Sequence, residues 1–288
     1  MKASAFSYAK PSSLAELFDL VELHGDQAKL LAGGQSLIAA LNMRLASPAV
    51  LLDINGLAEL SGIEIAGDVV RVGALTRHRD LEKSPEIRNH LPLVHQAMPF
   101  VAHAAIRNRG TFGGSVAFAD AAAELPACCV ALDAALELAS RQGRRIVRAR
   151  DFFKGLYETD LQPGEVLVGA EFPRLQPGYR SAFMELARRH GDYAIVGVAV
   201  HGKFRDGIFS DAAIVFFGVA DRPVLAVETA RALESAPVSE PVFKAVRSAV
   251  LRDLETSGDI YHSAATKSHL ACVLAERAIR TMTMEHGA

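Results

Sequence analysis

The chain has 288 residues, half of them hydrophobic and 22% charged, with a formal charge of −2. That length allows one large domain or two modest ones around a proper core. The near-neutral balance, the absence of Trp and 7% aromatics exclude a basic nucleic-acid face and a stacking platform for single strands.

The opening "MKASAFSYAKPSSLAELF" has no continuous apolar core and no cleavage pattern, so it reads as mature sequence rather than a signal peptide. No apolar run approaches the roughly 20 residues of a membrane span. The cytoplasm is the expected location. Pro11-Ser12-Ser13 opens a helix, with Ser13 and Glu16 at capping-box spacing and Leu14, Leu17, Phe18 and Val21 as its apolar stripe. Next come a short buried strand "AKLLA", a turn "GGQS", a helix "LIAALNMRL" and a buried strand "AVLLDI", together a βαβ-like unit. Residues 63–75 read as a hairpin turning at Gly67-Asp68, and 76–104 carry helical patterns. "AAAELPACCVALDA" reads as a small-residue helix with Pro126 in its first turn. "AALELAS" and "RRIVRAR" form a second hairpin around Gln142-Gly143, and "EVLVGAEFP" is a strand stopping at Pro173.

"RLQPGYR" at 174–180 marks the expected boundary, dividing the chain into residues 1–176 and 177–288. Beyond it, "SAFMELARR", "AIVGVAVHGKF" and "FSDAAIVFFGVA" read as three strands. Helical stretches follow near 224–233, 240–256 and 266–284. A small antiparallel sheet with a helical cap is expected.

Two Gly-pair turns carry the chemistry. Gly33 and Gly34 lie between a strand and a helix, so the amides of Gln35, Ser36 and Leu37 fall at a helix N-terminus, where unpaired donors and the helix dipole favour an anion such as pyrophosphate. The competing reading is a tight turn with Ser36 as N-cap. Neither G-x-G-x-x-G nor a P-loop is present. "TFGGS", Thr111 to Ser115, repeats the pattern, and two such turns can clamp one diphosphate. Asp120 and Glu124, four apart, share a face if helical and suit ribose hydroxyls; a solvated acidic helix start is the alternative.

"AGGQS" at 32–36 and "TFGGS" at 111–115 resemble the two FAD-pyrophosphate loops of the molybdenum hydroxylase medium subunits, a family that includes the medium subunits of carbon monoxide dehydrogenase and quinoline 2-oxidoreductase and the flavin domain of xanthine dehydrogenase. "FSYAKP", "FFKGLYETDLQPGEVL" and "ARRHGDYAIVGVAV" extend the resemblance over nearly the whole chain. It implies an α+β, vanillyl-alcohol-oxidase (PCMH) type FAD fold. Two α/β subdomains, about 1–57 and 58–176, would flank the FAD, with the C-terminal unit of three-stranded antiparallel sheet and helices behind them. By carry-over, Ala32, Gly33, Gly34, Gln35, Ser36 and Leu37, with Thr111, Gly113, Gly114 and Ser115, hold the pyrophosphate, the backbone amides of both loops facing it. Val101 and Ala102 line the adenosine-side path, Asp120 and Glu124 sit near the adenine and its ribose, Leu167 packs on the isoalloxazine, and Tyr193 lies beside the ring where an acceptor approaches. Gln35 replaces the His of some relatives and Ser115 their Asn or Asp; both keep hydrogen-bonding capacity. No residue acts as a general acid or base on an organic substrate.

The resemblance also implies partners: a large molybdopterin subunit, a small subunit with two [2Fe–2S] clusters, and an external electron acceptor, assembled as a dimer of heterotrimers. Cys128, Cys129 and Cys272 include no C-x-x-C, so no cluster or structural zinc is expected in this chain, and the cysteine-rich insertion of the 4-hydroxybenzoyl-CoA reductase branch is missing. An N-heterocyclic substrate at the partner's molybdenum is the closest match. Rival readings are a stand-alone flavin oxidase or reductase of the same fold, and a flavin-free scaffold. His90, His95 and His103 lack metal-ligand spacing; the arginines of 141–150 fit an exposed hairpin or a partner contact; Arg188 and Arg189 fit an acceptor mouth, a subunit contact or plain surface.

Overall fold

The computed structural model describes residues 2–284. The first unit is a three-stranded parallel sheet. Its strands and helices are β1 (Ser7–Ala9), α1 (Leu14–His24), β2 (Ala28–Leu31), α2 (Leu37–Asn42) and β3 (Val50–Asp53), with strand order β1-β3-β2. Ser13 caps α1 by accepting from the Glu16 N–H, but the Glu16 carboxylate reaches back to Ser12 rather than to Ser13, shifting the expected box by one residue. β3 is central and buried, whereas β2 is only part-buried because it forms the sheet edge. β1, in "FSYAKP", has an exposed, unalternating pattern and gave no strand signal of its own.

The second unit is antiparallel, in the order β4-β5-β10-β6-β7. Its elements begin with the hairpin β4 (Ile63–Ala66) and β5 (Val69–Gly73), then α3 (His78–Lys83), α4 (Pro85–His90), α5 (Pro92–Ala97), α6 (Ala104–Arg107), α7 (Phe112–Phe118) and α8 (Glu124–Ala131). The hairpin β6 (Ala135–Ser140) and β7 (Gly143–Arg148), the short α9 (Ala149–Phe152), β8 (Phe153–Gly155), β9 (Glu158–Thr159) and β10 (Val166–Pro173) complete it. Pro126 does fall in the first turn of α8. Asp120, however, lies in the turn before α8, not on a common helix with Glu124: its carboxylate accepts from the Ala122 N–H and closes a local turn. The arginines of 141–150 are each paired within the chain, Arg141 with Asp19 and Glu22, Arg144 with Glu137, Arg145 with Asp160 and Glu165, and Arg148 and Arg150 with Asp133. They cover β7, the edge strand, with charge.

β10 joins two cores. Val166 and Val168 face the cluster around Leu17, Leu52 and Leu60, while Leu167, Ala170 and Phe172 face the cluster of the helices. Strict alternation would put Leu167 and Ala170 on opposite faces. A bulge between Leu167 and Gly169 adds one residue against β6 and restores them to one face.

The third unit has β11 (Tyr179–Ala187), β12 (Ala194–Arg205) and β13 (Ile208–Phe217), extended by a two-residue β14 (Val224–Leu225) that the sequence did not announce. α10 (Val227–Glu234), α11 (Glu240–Asp253) and α12 (Ala264–Thr283) follow. Val196, Val198, Ile214 and Phe216 face these helices, whereas Ala199, Val215 and Phe217 face the second unit. The sheet is buried on both sides.

Candidate functional site

A cleft of about 630 Å³ runs between the units, and every residue expected to bind the cofactor lines it: Ala32 to Leu37, Val101, Ala102, Thr111, Gly113, Gly114, Ser115, Asp120, Glu124, Leu167 and Tyr193.

The two glycine turns differ in what they offer. In the first, Gly34 adopts φ +73°, a left-handed conformation open to glycine. Among the described residues, no acceptor meets the N–H groups of Gly33, Gly34, Gln35, Ser36 or Leu37. Ser36 makes no side-chain cap, so the plain N-cap reading fails, and the Gln35 side chain turns back to donate to the Gly33 carbonyl. The result is a row of free donors at the start of α2.

In the second turn the amides are already engaged. The Phe112 N–H donates to Thr76 O at 2.9 Å, Gly113 N–H to Ala74 O at 2.8 Å, Gly114 N–H to Thr111 Oγ1 at 3.2 Å, and Ser115 N–H to Thr111 O at 3.1 Å. Thr111 is thereby the N-cap of α7. Backbone amides from Phe112 to Ser115 in the second loop are therefore engaged, whereas those of the first loop are free. The second loop is tied down because it docks on β5 and its outgoing turn. Its Gly113, Gly114 and Ser115 line the cleft.

The loops also touch each other. A Cβ built on Gly33 would lie 2.4 Å from the Arg109 carbonyl oxygen. Residues without any motif hold this junction. Asn55 donates to the Leu31 and Ala32 carbonyls at 3.2 and 2.7 Å and to Asp53 at 2.6 Å; Arg77 donates to Asn55 Oδ1 at 2.7 Å and to the Arg109 carbonyl. His78 Nε2 lies 2.8 Å from the Thr111 carbonyl oxygen and so carries the proton, while Nδ1 has no partner and backs onto Gly110. Burial lowers the His78 pKa to about 4, so the ring is neutral. Sequence reading missed Asn55, Arg77 and His78, because their work is done across stretches of chain that share no spacing.

The far end of the cleft gathers more than the resemblance implied. Gly191, at φ +77°, packs so closely on the 102–103 backbone that a Cβ would meet Ala102 O at 2.7 Å. Partial burial, and then the charges of Asp120, Glu124 and Asp192, raise the hydroxyl pKa of Tyr193, which is 71% exposed. Val101, Ala102, Asp120 and Glu124 thus share the Tyr193 end, because the 188–193 loop folds back over α6 and the turn before α8. Lys29, Leu30, Ala46 and Ile54 line the cleft beside the first loop. Glu124 lines the cleft, and desolvation, with Asp120 nearby, raises its carboxyl to about 7. Among the described residues no cluster of His, Cys, Asp or Glu suits a metal ion, and the three cysteines are free and buried.

A cleft with a donor-lined loop at a helix start, between a parallel and an antiparallel unit, suits the phosphates of a nucleotide cofactor. Residues 4–175 match the family model described as FAD binding domain in molybdopterin dehydrogenase, and residues 181–282 match the CO dehydrogenase flavoprotein C-terminal domain. The chain belongs to this family of FAD-binding medium subunits. Among curated relatives it is 36% identical to the 6-hydroxypseudooxynicotine dehydrogenase complex subunit alpha of Paenarthrobacter nicotinovorans, over 97% of this chain and 95% of the relative. Among solved structures it superposes on carbon monoxide dehydrogenase from Hydrogenophaga pseudoflava with a TM-score of 0.95 at 35% identity, covering 98% of each chain. Quinoline 2-oxidoreductase from Pseudomonas putida 86 gives 0.92 at 37% identity, also covering 98% of each. The protein is an FAD-containing oxidoreductase subunit, not a stand-alone flavin oxidase. No helix among the described residues is long and apolar enough to cross a membrane.

Proposed function

We propose that this chain is the electron-exit subunit of a cytoplasmic hydroxylase complex. Its FAD-binding unit runs through residue 176 and its C-terminal unit begins at 177. The pyrophosphate of FAD sits on the free amides of Gly33 to Leu37, with the Ser115 hydroxyl opposite. The adenosine lies along Lys29, Leu30, Ala46 and Ile54, and the isoalloxazine lies between Leu167 and Tyr193. The observation that carries this reading is the row of unpaired donors at the first glycine turn, opening into a cleft that every expected residue lines.

Bound FAD supplies the means to take electrons in pairs or singly. The chain's residues bind and orient it: Asn55 and Arg77 fix the two loops against each other, Leu167 gives the ring an apolar wall from β10, and Tyr193 keeps an exposed edge at the mouth. Electrons arrive from a small [2Fe–2S] subunit after a substrate is oxidised at a large molybdopterin subunit, and leave to an external acceptor. Two copies of this heterotrimer form the complex. Relatives named for nicotine, caffeine and quinoline support an N-heterocyclic aromatic substrate.

The test is the visible spectrum of the purified chain, alone and co-expressed with its partners, with identification of the released chromophore. FAD from the isolated chain, and cluster absorption with molybdenum from the complex, are expected. A chain that stays colourless after FAD is added would overturn the binding assignment.

A further inference from the structure

Arg107 closes α6, and its side chain is only 12% exposed although it does not itself line the cleft. Its Nε and Nη2 donate to the two oxygens of Glu82 at 2.9 and 3.0 Å, a bidentate pair that ties it to α3. The rest of the guanidinium faces backbone: Nη1 donates to the Val101 and Ala102 carbonyls, both at 3.1 Å. Among the described residues no other donor meets either carbonyl. Glu82 lies four residues after His78 on α3, and His78 holds the Thr111 carbonyl at 2.8 Å. One helix thus anchors both the second glycine loop and the backbone at 101–102.

The carbonyls so held belong to a corner that needs holding. Ala102 has φ +44°, a left-handed conformation that a residue with a Cβ adopts only at a cost. Val101 and Ala102 both line the cleft, and Gly191 packs on the Ala102 carbonyl oxygen. Among the described residues, no hydrogen bond joins residues 190–193 to another part of the chain. The Asp192 N–H donates to Arg189 O and the Tyr193 N–H to the Asp192 carboxylate, both inside the loop. The loop that carries Tyr193 therefore takes its place from β11 and β12 at its ends, from the Phe100–His190 ring contact, and from the packing of Gly191 on the corner.

We propose that Arg107 is a positioning residue for the Tyr193 end of the cleft: clamped to α3 through Glu82, its guanidinium holds the Val101–Ala102 corner, and the corner sets where the 190–193 loop lies. What the loop does there rests on the reading of the cleft as the FAD site, of which it forms the wall beside Tyr193. The assignment explains why this residue is an arginine. A planar guanidinium presents one edge to a carboxylate and another donor pair to two carbonyls at the same time. A lysine ammonium is a single point and must give up one side.

Hydrogen exchange of the ligand-free chain tests the brace without reference to FAD. The amides to follow are those of Val101 and Ile106, bonded in the corner, and those of Asp192 and Tyr193, bonded in the loop. In Arg107→Lys all four are expected to exchange at least about tenfold faster than in the wild type, while residues 196–200 of β12 keep their rates. Glu82→Gln keeps an acceptor but removes the charge, so it should give a smaller change at the same amides; it carries the test if the lysine variant does not fold. Unchanged exchange at Asp192 and Tyr193 in a folded variant would overturn the proposal, and so would a rise that extends equally through β12, since that marks a loss of general stability. The second measurement is FAD affinity, by flavin-fluorescence titration, in the wild type, Arg107→Lys, Tyr193→Ala and the double variant. If Arg107 acts through the loop, Tyr193→Ala weakens binding at least about threefold in the wild type and by a smaller factor in the Arg107→Lys background. Equal factors in both backgrounds would overturn the link between corner and loop. Faster exchange at the four amides in a chain that takes up no FAD would leave the brace standing and sink the flavin reading alone.

Discussion

A methyl group on Gly33 would sit 2.4 Å from the Arg109 carbonyl oxygen and 2.8 Å from Gly110 Cα. Both obstacles are backbone, so neither can swing aside, and the two glycine loops must separate to admit it. Gly33→Ala is therefore expected to lower FAD affinity at least tenfold, about 1.4 kcal/mol, as read by flavin-fluorescence titration. Gly67→Ala is the control. Gly67, unlike Gly33, has a positive φ, +60°, and a Cβ there meets nothing within 4 Å. It should cost roughly 1–2 kcal/mol of stability and leave flavin affinity unchanged. The comparison separates strain in a turn from the closeness of two loops. Asn55 tests the same junction from the side. Asn55→Ala strips donors from the Leu31 and Ala32 carbonyls and the acceptor from Arg77. Those part-buried groups then lose their partners, at about 1–3 kcal/mol. Weaker flavin binding is expected to exceed any change in Tm, because the affected groups hold the loop rather than the core. An unchanged flavin titration would show that Asn55 does not set the loop.

At the scale of elements, burial on both faces of the C-terminal sheet explains why "AIVGVAV" and "AAIVFF" read as unbroken apolar runs, and why their strands were legible. Gly197 stands opposite Phe217 there, and a Cβ would fall 2.0 Å from the ring. Gly197→Ala overpacks this spot and should cost about 1–3 kcal/mol; Phe217→Leu in the same chain should recover part of the loss, measured by chemical denaturation. Additive destabilisation in the double variant would sink that account. Other elements were less legible for physical reasons. The helical pattern over 76–104 breaks into short helices because Pro85 and Pro92 each begin a new one and Pro99 sits in a short 3-10 turn, a proline being tolerated in a first turn but not in a helix interior. Asp120 and Glu124 had helical spacing, yet the Asp120 side chain prefers a local turn. The site itself was visible where chemistry needs glycine, and Leu167 came through resemblance alone. Asn55, Arg77 and His78 were invisible, since each matters only for what long-range folding sets beside it.

The whole molecule carries two opposed sets of buried titratable groups. Burial lowers His78 and His201 to about 4, so the folded chain keeps them neutral while the unfolded chain protonates them below about 6.5. Their contribution is complete above pH 6.5 and is lost as the pH falls toward 4. Glu124 and Glu185 behave in the reverse sense. The unfolded chain ionises them near 4.5, whereas the folded chain holds their protons to about 7 and about 8. Their contribution is complete below 4.5 and is lost as the pH rises to 8. Between about 4.5 and 6.5 the two sets oppose each other, and stability of the ligand-free chain should vary little. Below that range it falls, as the carboxylates that hydrogen bonds and ion pairs hold low, Asp53, Asp160 and Glu165 among them, begin to take up protons. Above 6.5 only the glutamates still titrate, and each proton by which the folded state exceeds the unfolded state costs about 1.4 kcal/mol per pH unit. Thermal unfolding of the ligand-free chain from pH 5 to 8 is therefore expected to show a plateau and then a decline from about 6.5. Glu185→Gln removes the carboxyl that titrates last, so its curve should level off earlier and lie above the wild type at pH 8. A wild-type Tm that holds constant from pH 6.5 to 8 would mean that both carboxyls are ionised in the folded protein throughout, and that water reaches them despite their burial.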